Sequence, residues 1–218
     1  MTNEARQAIL GSIRTHLAAS VPEENHENLL QNPVILLKTP STISLAELFK
    51  QNLESVNGRC FIVNNDTDIA DALTRIITDL KAQRLAISDD PDVKRLLYQT
   101  DLEIEELEIS PNASDIFRFD VGITTAQAAI AETGTLILDS TRERHRLVSL
   151  VPPVHIAIVD ASKIYETLDE ALTVIHKNEI GPAVTFITGP SRTADIELTL
   201  TVGVHGPQEL YVIVNGST

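Results

Sequence analysis

Residues 60–87 read CFIVNNDTDIADALTRIITDLKAQRLAI. An unbroken apolar run, Cys60 to Val63, gives way to a helix beginning at Asp66. Its apolar positions Ile69, Leu73, Ile76, Ile77 and Leu80 fall on one face. A second apolar run, Leu85 to Ile87, closes the unit. Strands that are apolar throughout, alternating with one-sided helices, predict a largely parallel sheet covered on both faces.

The same alternation extends in both directions. Upstream, Ser44 and Glu47 form a capping box for a helix running to about Val56. Downstream come a short helix from Asp92 to Leu97, an edge strand from Leu107 to Ile109 and a short strand from Asp120 to Ile123. Thr124 with Gln127 reads as a second capping box, opening an alanine-rich helix from Thr125 to Ala131. Strands follow at Thr135–Leu138 and His155–Val159, then a helix carrying Ile164, Leu168, Ala171, Leu172 and Ile175. The last strands are Ala183–Ile187 and Leu210–Val214. Asp139 to Val154 has no helical pattern and leaves room for a reversal, so the expected fold is a three-layer α/β/α with a mostly parallel, mixed sheet. Residues 2–19 form a separate helix with Ala5, Ile9, Ile13 and Leu17 in one stripe, and Ser20 to Pro33 is a polar, proline-bearing linker. The expected division is therefore an N-terminal helix and linker, 1–33, and an α/β domain, 34–218. The stripe leaves three docking partners open for this arm: its own domain, a second copy or another subunit.

Composition narrows the function classes. A net charge of -14 disfavours nucleic acid and anionic membrane as partners, and an anionic small ligand would need a locally basic pocket. There is no Trp, so stacking on bases or sugars is not a theme. Cys60 is the only cysteine and lies within an apolar run, which reads as a buried core thiol in a chain without an internal disulfide. The cysteine usage and the absence of a signal peptide or membrane-length apolar run set a cytoplasmic expectation, with no membrane insertion. No metal-ligand spacing, Walker loop, G-x-G-x-x-G or G-x-S-x-G occurs, so no bound metal or cofactor is expected in this chain.

Four polar loops carry the candidate chemistry. Gly189-Pro190-Ser191-Arg192-Thr193-Ala194-Asp195-Ile196-Glu197 follows an apolar strand; Gly189 permits close approach, Arg192 can clamp an anion, and a helix starting near Thr193 would add free N–H groups. On the competing reading, Thr193 is an N-cap while Asp195 and Glu197 favour the helix dipole. In Glu132-Thr133-Gly134, a helix end turning into a strand, Gly134 suits a positive-φ stop. Glu132 is there either a base, nucleophile or acceptor, or a solvent-facing turn residue. Arg142-Glu143-Arg144-His145-Arg146 is a cationic cluster in which Arg146, beside the apolar run Leu147–Val151, is the stronger candidate for an anionic ligand. In Gly203-Val204-His205-Gly206-Pro207 a constrained turn aims His205, an acid or base candidate near neutral pH or a backbone hydrogen-bonding residue. His155, opening its strand after two prolines, reads as structural.

Together these segments resemble the LUD-domain family. The resembling residues are Gly122-Ile123-Thr124, Ala131 to Thr135, Arg146 with Ser149 to Pro152 and His155-Ile156, Ile187 to Glu197, and Gly203 to Pro207. They cover the second half of the chain in order and spacing. The resemblance implies a fold similar to the NagB/RpiA/CoA-transferase-like superfamily of sugar-phosphate isomerases and CoA transferases. It also implies a part in oxidising L-lactate to pyruvate beside cysteine-rich partner proteins that carry iron–sulfur clusters. It supplies no agreed catalytic list. The candidates therefore come from the loops: Glu132 and His205 for catalysis, and Thr124, Thr133, Gly134, Arg146, Gly189, Ser191, Arg192, Thr193, Asp195 and Glu197 for substrate. The loops alone leave open a stand-alone enzyme acting on a sugar phosphate or acyl-CoA, a metabolite-binding regulatory module, and a homo-oligomer.

Overall fold

The computed structural model describes residues 3–19, 43–140, 146–176, 181–194, 200–202 and 206–216. The chain divides into two units, one containing helix α1 (Asn3–Ala19) and the other beginning at Thr42. The linker expected at Ser20–Pro33 lies outside the described residues.

The second unit is built on a six-stranded sheet of β1 (Arg59–Val63), β2 (Arg84–Ile87), β3 (Glu106–Ile109), β4 (Val121–Thr125), β7 (Val154–Asp160) and β12 (Glu209–Asn215). Their order is β1-β12-β7-β4-β2-β3, and every neighbouring pair is parallel. The expected edge strand, β3, is at the edge. One face packs under α3 (Asp66–Leu80) and α4 (Pro91–Leu97), where Ile69, Leu73 and Ile77 meet Leu85, Ile123, Ile156 and Ile213. The opposite face is covered by α2 (Leu45–Ser55) and by a four-stranded sheet. That sheet contains β5 (Ala128–Ile130), β6 (Thr135–Asp139), β8 (Ile164–Tyr165) and β9 (Val184–Ile187), and α6 (Leu168–His176) packs on its outer side. The α/β class with a mostly parallel sheet is therefore as expected. The reversals lie outside the six-stranded sheet, and in the smaller sheet β6 runs antiparallel to both β5 and β9.

Local signals account for the helix boundaries. Ser44 accepts the Glu47 N–H at 3.2 Å, and Asn65 caps α3 by accepting the Asp68 N–H at 2.9 Å. Asp90 accepts the Asp92 N–H at 2.8 Å, ahead of Pro91 at the start of α4.

Two helical expectations fail for one reason. The alanine-rich segment 125–131 is not a helix: β4 continues to Thr125 and Ala128–Ile130 is a strand. Ala129 and Ala131 face the core shared with the six-stranded sheet, while Ala128 and Ile130 face α6. Small side chains buried on both faces suit a strand between two layers, and that burial overrides alanine's helix propensity. The supposed capping pair is spent elsewhere: Thr124 bonds His155, and the Gln127 side chain accepts the Asp139 N–H. Likewise Ile164, expected in a helix, lies in β8 beside β5. The helix starts only at Leu168, where Thr167 accepts the Glu170 N–H at 3.3 Å.

Gly134 has φ +64, as the positive-φ expectation required, but it closes the β5–β6 hairpin rather than a helix. A Cβ there would also strike the backbone of Leu53 and Asn52 in α2. His155 is fully buried, with Nε2 2.9 Å from the Thr124 hydroxyl, and burial pulls its pKa down to about 3. Cys60 is buried as expected, and its thiol is pushed up to about 12, chiefly by burial.

Two measurements follow from this packing. Gly134→Ala should cost about 1–3 kcal/mol, read by chemical denaturation, because strain and overpacking act together. For His155, the unfolded chain gains a proton below its ordinary value of 6.5 that the folded chain refuses until about pH 3. Its stabilising contribution is thus complete above pH 6.5 and erodes as pH falls, by up to about 1.4 kcal/mol per pH unit. The denaturation free energy of His155→Gln should accordingly fall less steeply than wild type between pH 6 and 4.

Candidate functional site

The loop after β9 leaves the carboxyl end of its strand, yet β9 belongs to the smaller sheet. The loop arrives at the opposite, amino edge of the six-stranded sheet, where β1 and β12 begin. Ser191 N–H donates to the Pro207 carbonyl at 2.7 Å, and a Cβ on Gly206 would sit 3.1 Å from the Ser191 hydroxyl. A Cβ on Gly189 would come within 3.2 Å of the Val56 carbonyl oxygen at the end of α2. Hydroxyls link this loop to the β5–β6 turn: Thr133 and Thr135 are 2.7 Å apart, and Thr135 and Thr188 are 2.9 Å apart.

These approaches enclose a basin of about 230 Å³ lined by Asn57, Arg59, Ser191, Arg192, Gln208 and Glu209, among others. The Arg59 guanidinium lies 3.4 Å from the Glu209 carboxylate, bonds the Tyr211 hydroxyl, and sits 5.0 Å from the centre of the Tyr211 ring. Tyr211 in turn donates to Glu209 at 2.8 Å, and burial together with that bond pushes its pKa up to about 12. Arg59 is thus neutralised by Glu209. Arg192 is exposed and touches only the Val56 carbonyl, at 3.5 Å, with no carboxylate beside it among the described residues. It favours the negative end of α2 and retains most of its donors. The described lining of the basin therefore carries a net positive charge within a chain of net charge -14. A planar guanidinium beside a hydroxyl and two amides matches a small carboxylate, which it can bind in bidentate fashion.

The helix expected from Thr193 is absent. Arg192–Ala194 forms strand β10, paired antiparallel with β11 (Leu200–Val202), so no helix N-terminus assists Arg192. β-Branched Thr193, Thr201 and Val202 favour that extended pairing. Asp195, Glu197 and His205 lie outside the described residues, as do positions 142–145 of the cationic cluster.

Of the remaining candidates, Gly189, Ser191 and Arg192 come together at the basin, and Thr133 and Gly134 brace it through Thr135 and α2. Three others stand apart from its lining. Glu132 is exposed, and its carboxylate accepts the Leu168 N–H at 3.1 Å, at the start of α6. Thr124 is buried against His155. Arg146 is exposed at the start of the short helix α5 (Leu147–Leu150). Asn57, Arg59, Gln208 and Glu209 were missed. Asn57-Gly58 is a turn signal, and Asn57 has φ +68, but nothing local tells that this turn faces residues 190–192. The lone thiol does not fit as a cluster ligand, being both single and buried.

The fold and the site define an α/β domain built on a parallel six-stranded sheet, with a polar basin bearing two arginines at the amino edge of that sheet. Comparison with known proteins gives its family. The LUD domain profile matches residues 46–214, and the chain belongs to the LUD-domain family. It is 30% identical to "Lactate utilization protein C" of Deinococcus radiodurans, over 99% of this chain and 97% of that protein. It is 29% identical to the protein of the same name from Bacillus subtilis, over 94% and 91% of the two chains. A crystal structure of a DUF162-family protein from Deinococcus radiodurans shares the fold, with a TM-score of 0.60 and 22% identity over 80% of this chain and 99% of that one. No described helix is long and apolar enough to cross a membrane.

The basin makes a direct prediction. Arg192→Gln should weaken pyruvate binding at least about ten-fold by isothermal titration, as expected for losing a charge-assisted pair. Arg192→Lys should fall between the two. An unchanged dissociation constant in Arg192→Gln would place the anion elsewhere.

Proposed function

We propose that this chain serves lactate utilisation as the cluster-free component of a multi-protein, iron–sulfur-dependent system that oxidises L-lactate to pyruvate. The observation that carries this reading is the full-length likeness to lactate utilisation proteins. A carboxylate-sized basic basin is consistent with it. L-lactate and pyruvate share the carboxylate that Arg192 and Ser191 would hold, and they differ only at C2. The oxidation removes two electrons and two protons from C2 and its hydroxyl. On this reading the electrons pass to iron–sulfur clusters held by partner proteins, because a single buried thiol cannot ligate such a cluster in this chain. What this chain supplies is binding and orientation of the carboxylate, while the iron–sulfur clusters of the partners would supply electron transfer.

A tagged copy purified from native cells grown on L-lactate should bring down cysteine-rich, iron-containing partners, and deletion of the gene should slow growth on L-lactate. A lone, iron-free chain together with unchanged growth would overturn the proposal.

A further inference from the structure

A second cavity, of about 220 Å³, lies on the far side of the six-stranded sheet from α2, between α4 and the edge strand β3. Its floor is Ile87 and Leu97, which are buried. Its walls include Leu102, Ile104, Leu107 and Ile109, of which Leu107 and Ile109 remain 42% and 43% exposed. Among the described residues, none fills this apolar hollow. The polar groups at its margin are few. Thr100 spends its hydroxyl on the Leu97 carbonyl at 2.7 Å. Lys94 lines the cavity and has no ion pair among the described residues, whereas its neighbour Arg95 is held by Asp66 and Asp92.

Charge and size decide what fits. One unpaired ammonium beside an apolar hollow suits a ligand with a single negative head and an aliphatic tail. The flanking segment alternates lining residues with exposed Asp101, Glu103 and Glu105, which repel a second negative charge and so disfavour phosphates and nucleotides. At about 30 Å³ per water-sized unit, the volume admits roughly seven non-hydrogen atoms. The geometry points to a site for a short aliphatic monocarboxylate, its chain in the hollow between α4 and β3 and its head on Lys94, distinct from the Arg192 basin. L-lactate, with a hydroxyl beside its carboxylate and a single methyl, offers only that methyl to the apolar walls. The inference goes beyond the function proposed above and does not depend on it.

The test titrates the full chain with hexanoate, hexan-1-ol and L-lactate, following methyl resonances of Leu102, Ile104 and Leu107 by NMR. Hexanoate should shift these methyls and bind at least ten-fold more tightly than hexan-1-ol. Lys94→Gln should remove that preference, Lys94→Arg should keep it, and Arg192→Gln should leave it unchanged. Three results would each overturn the site: no methyl shifts with millimolar hexanoate, equal binding of acid and alcohol, or full hexanoate affinity in Lys94→Gln. Equal binding with retained methyl shifts would identify an apolar docking face instead.

Discussion

The last turn of α2 and the Asn57-Gly58 turn behind it are approached by backbone from several directions, and the architecture of the site depends on that crowding. A Cβ on Gly58 would meet the Leu53 side chain, one on Gly134 would strike the Leu53 backbone, and one on Gly189 would press on Val56. Asn52 adds a hydrogen bond to the Ala131 carbonyl at 2.7 Å, so the hairpin of the smaller sheet is anchored to the same turn. A single helix end thereby fixes the small sheet against the large one and seats the loop that carries Arg192. At Gly134 the contact is with backbone alone, which cannot give way as a side chain can, so a larger residue there would move a layer.

That arrangement also explains the electrostatics of the basin. In a chain of net charge -14, four described arginines are matched by carboxylates: Arg59 by Glu209, Arg84 by Asp120, Arg95 by Asp66 and Asp92, and Arg118 by Glu106 and Glu108. Arg192 is directed instead to a helix-terminal carbonyl, a partner that carries only partial charge and leaves the guanidinium able to bind a further anion. Lys94, on the other face of the sheet, also lacks a carboxylate among the described residues, but its surroundings are apolar rather than amide-rich. What surrounds each cation, not the cation itself, thus distinguishes the two proposed sites.

Most strands and helices were legible in the sequence because each carries a one-dimensional signal. The apolar runs of β1, β2, β7 and β12 mark doubly buried strands, the stripe of α3 marks a one-sided helix, and Ser44 marks the start of α2. The errors cluster where burial on both sides outweighs local preference. Ala128 to Ile130 has helical composition but lies between two layers, and Ile164 sits at a helical spacing from Leu168 while pairing with β5. The residues around Thr193 read as a helix start, yet their pairing with 200–202 depends on residues six to ten positions away.

By itself the sequence determined the α/β class, a largely parallel sheet, the buried state of Cys60 and the structural character of His155. These follow from hydrophobic period, turn chemistry and side-chain type, all of which are written along the chain. Only the tertiary structure decided that Arg192 meets Asn57, Arg59 and Gln208 at the amino edge of the sheet, that the Glu132 carboxylate serves α6, and that antiparallel pairing stays out of the six-stranded sheet. The reason is that these depend on which backbones can approach one another. Such approaches are set by long-range packing around glycines and small side chains, for which no local pattern exists.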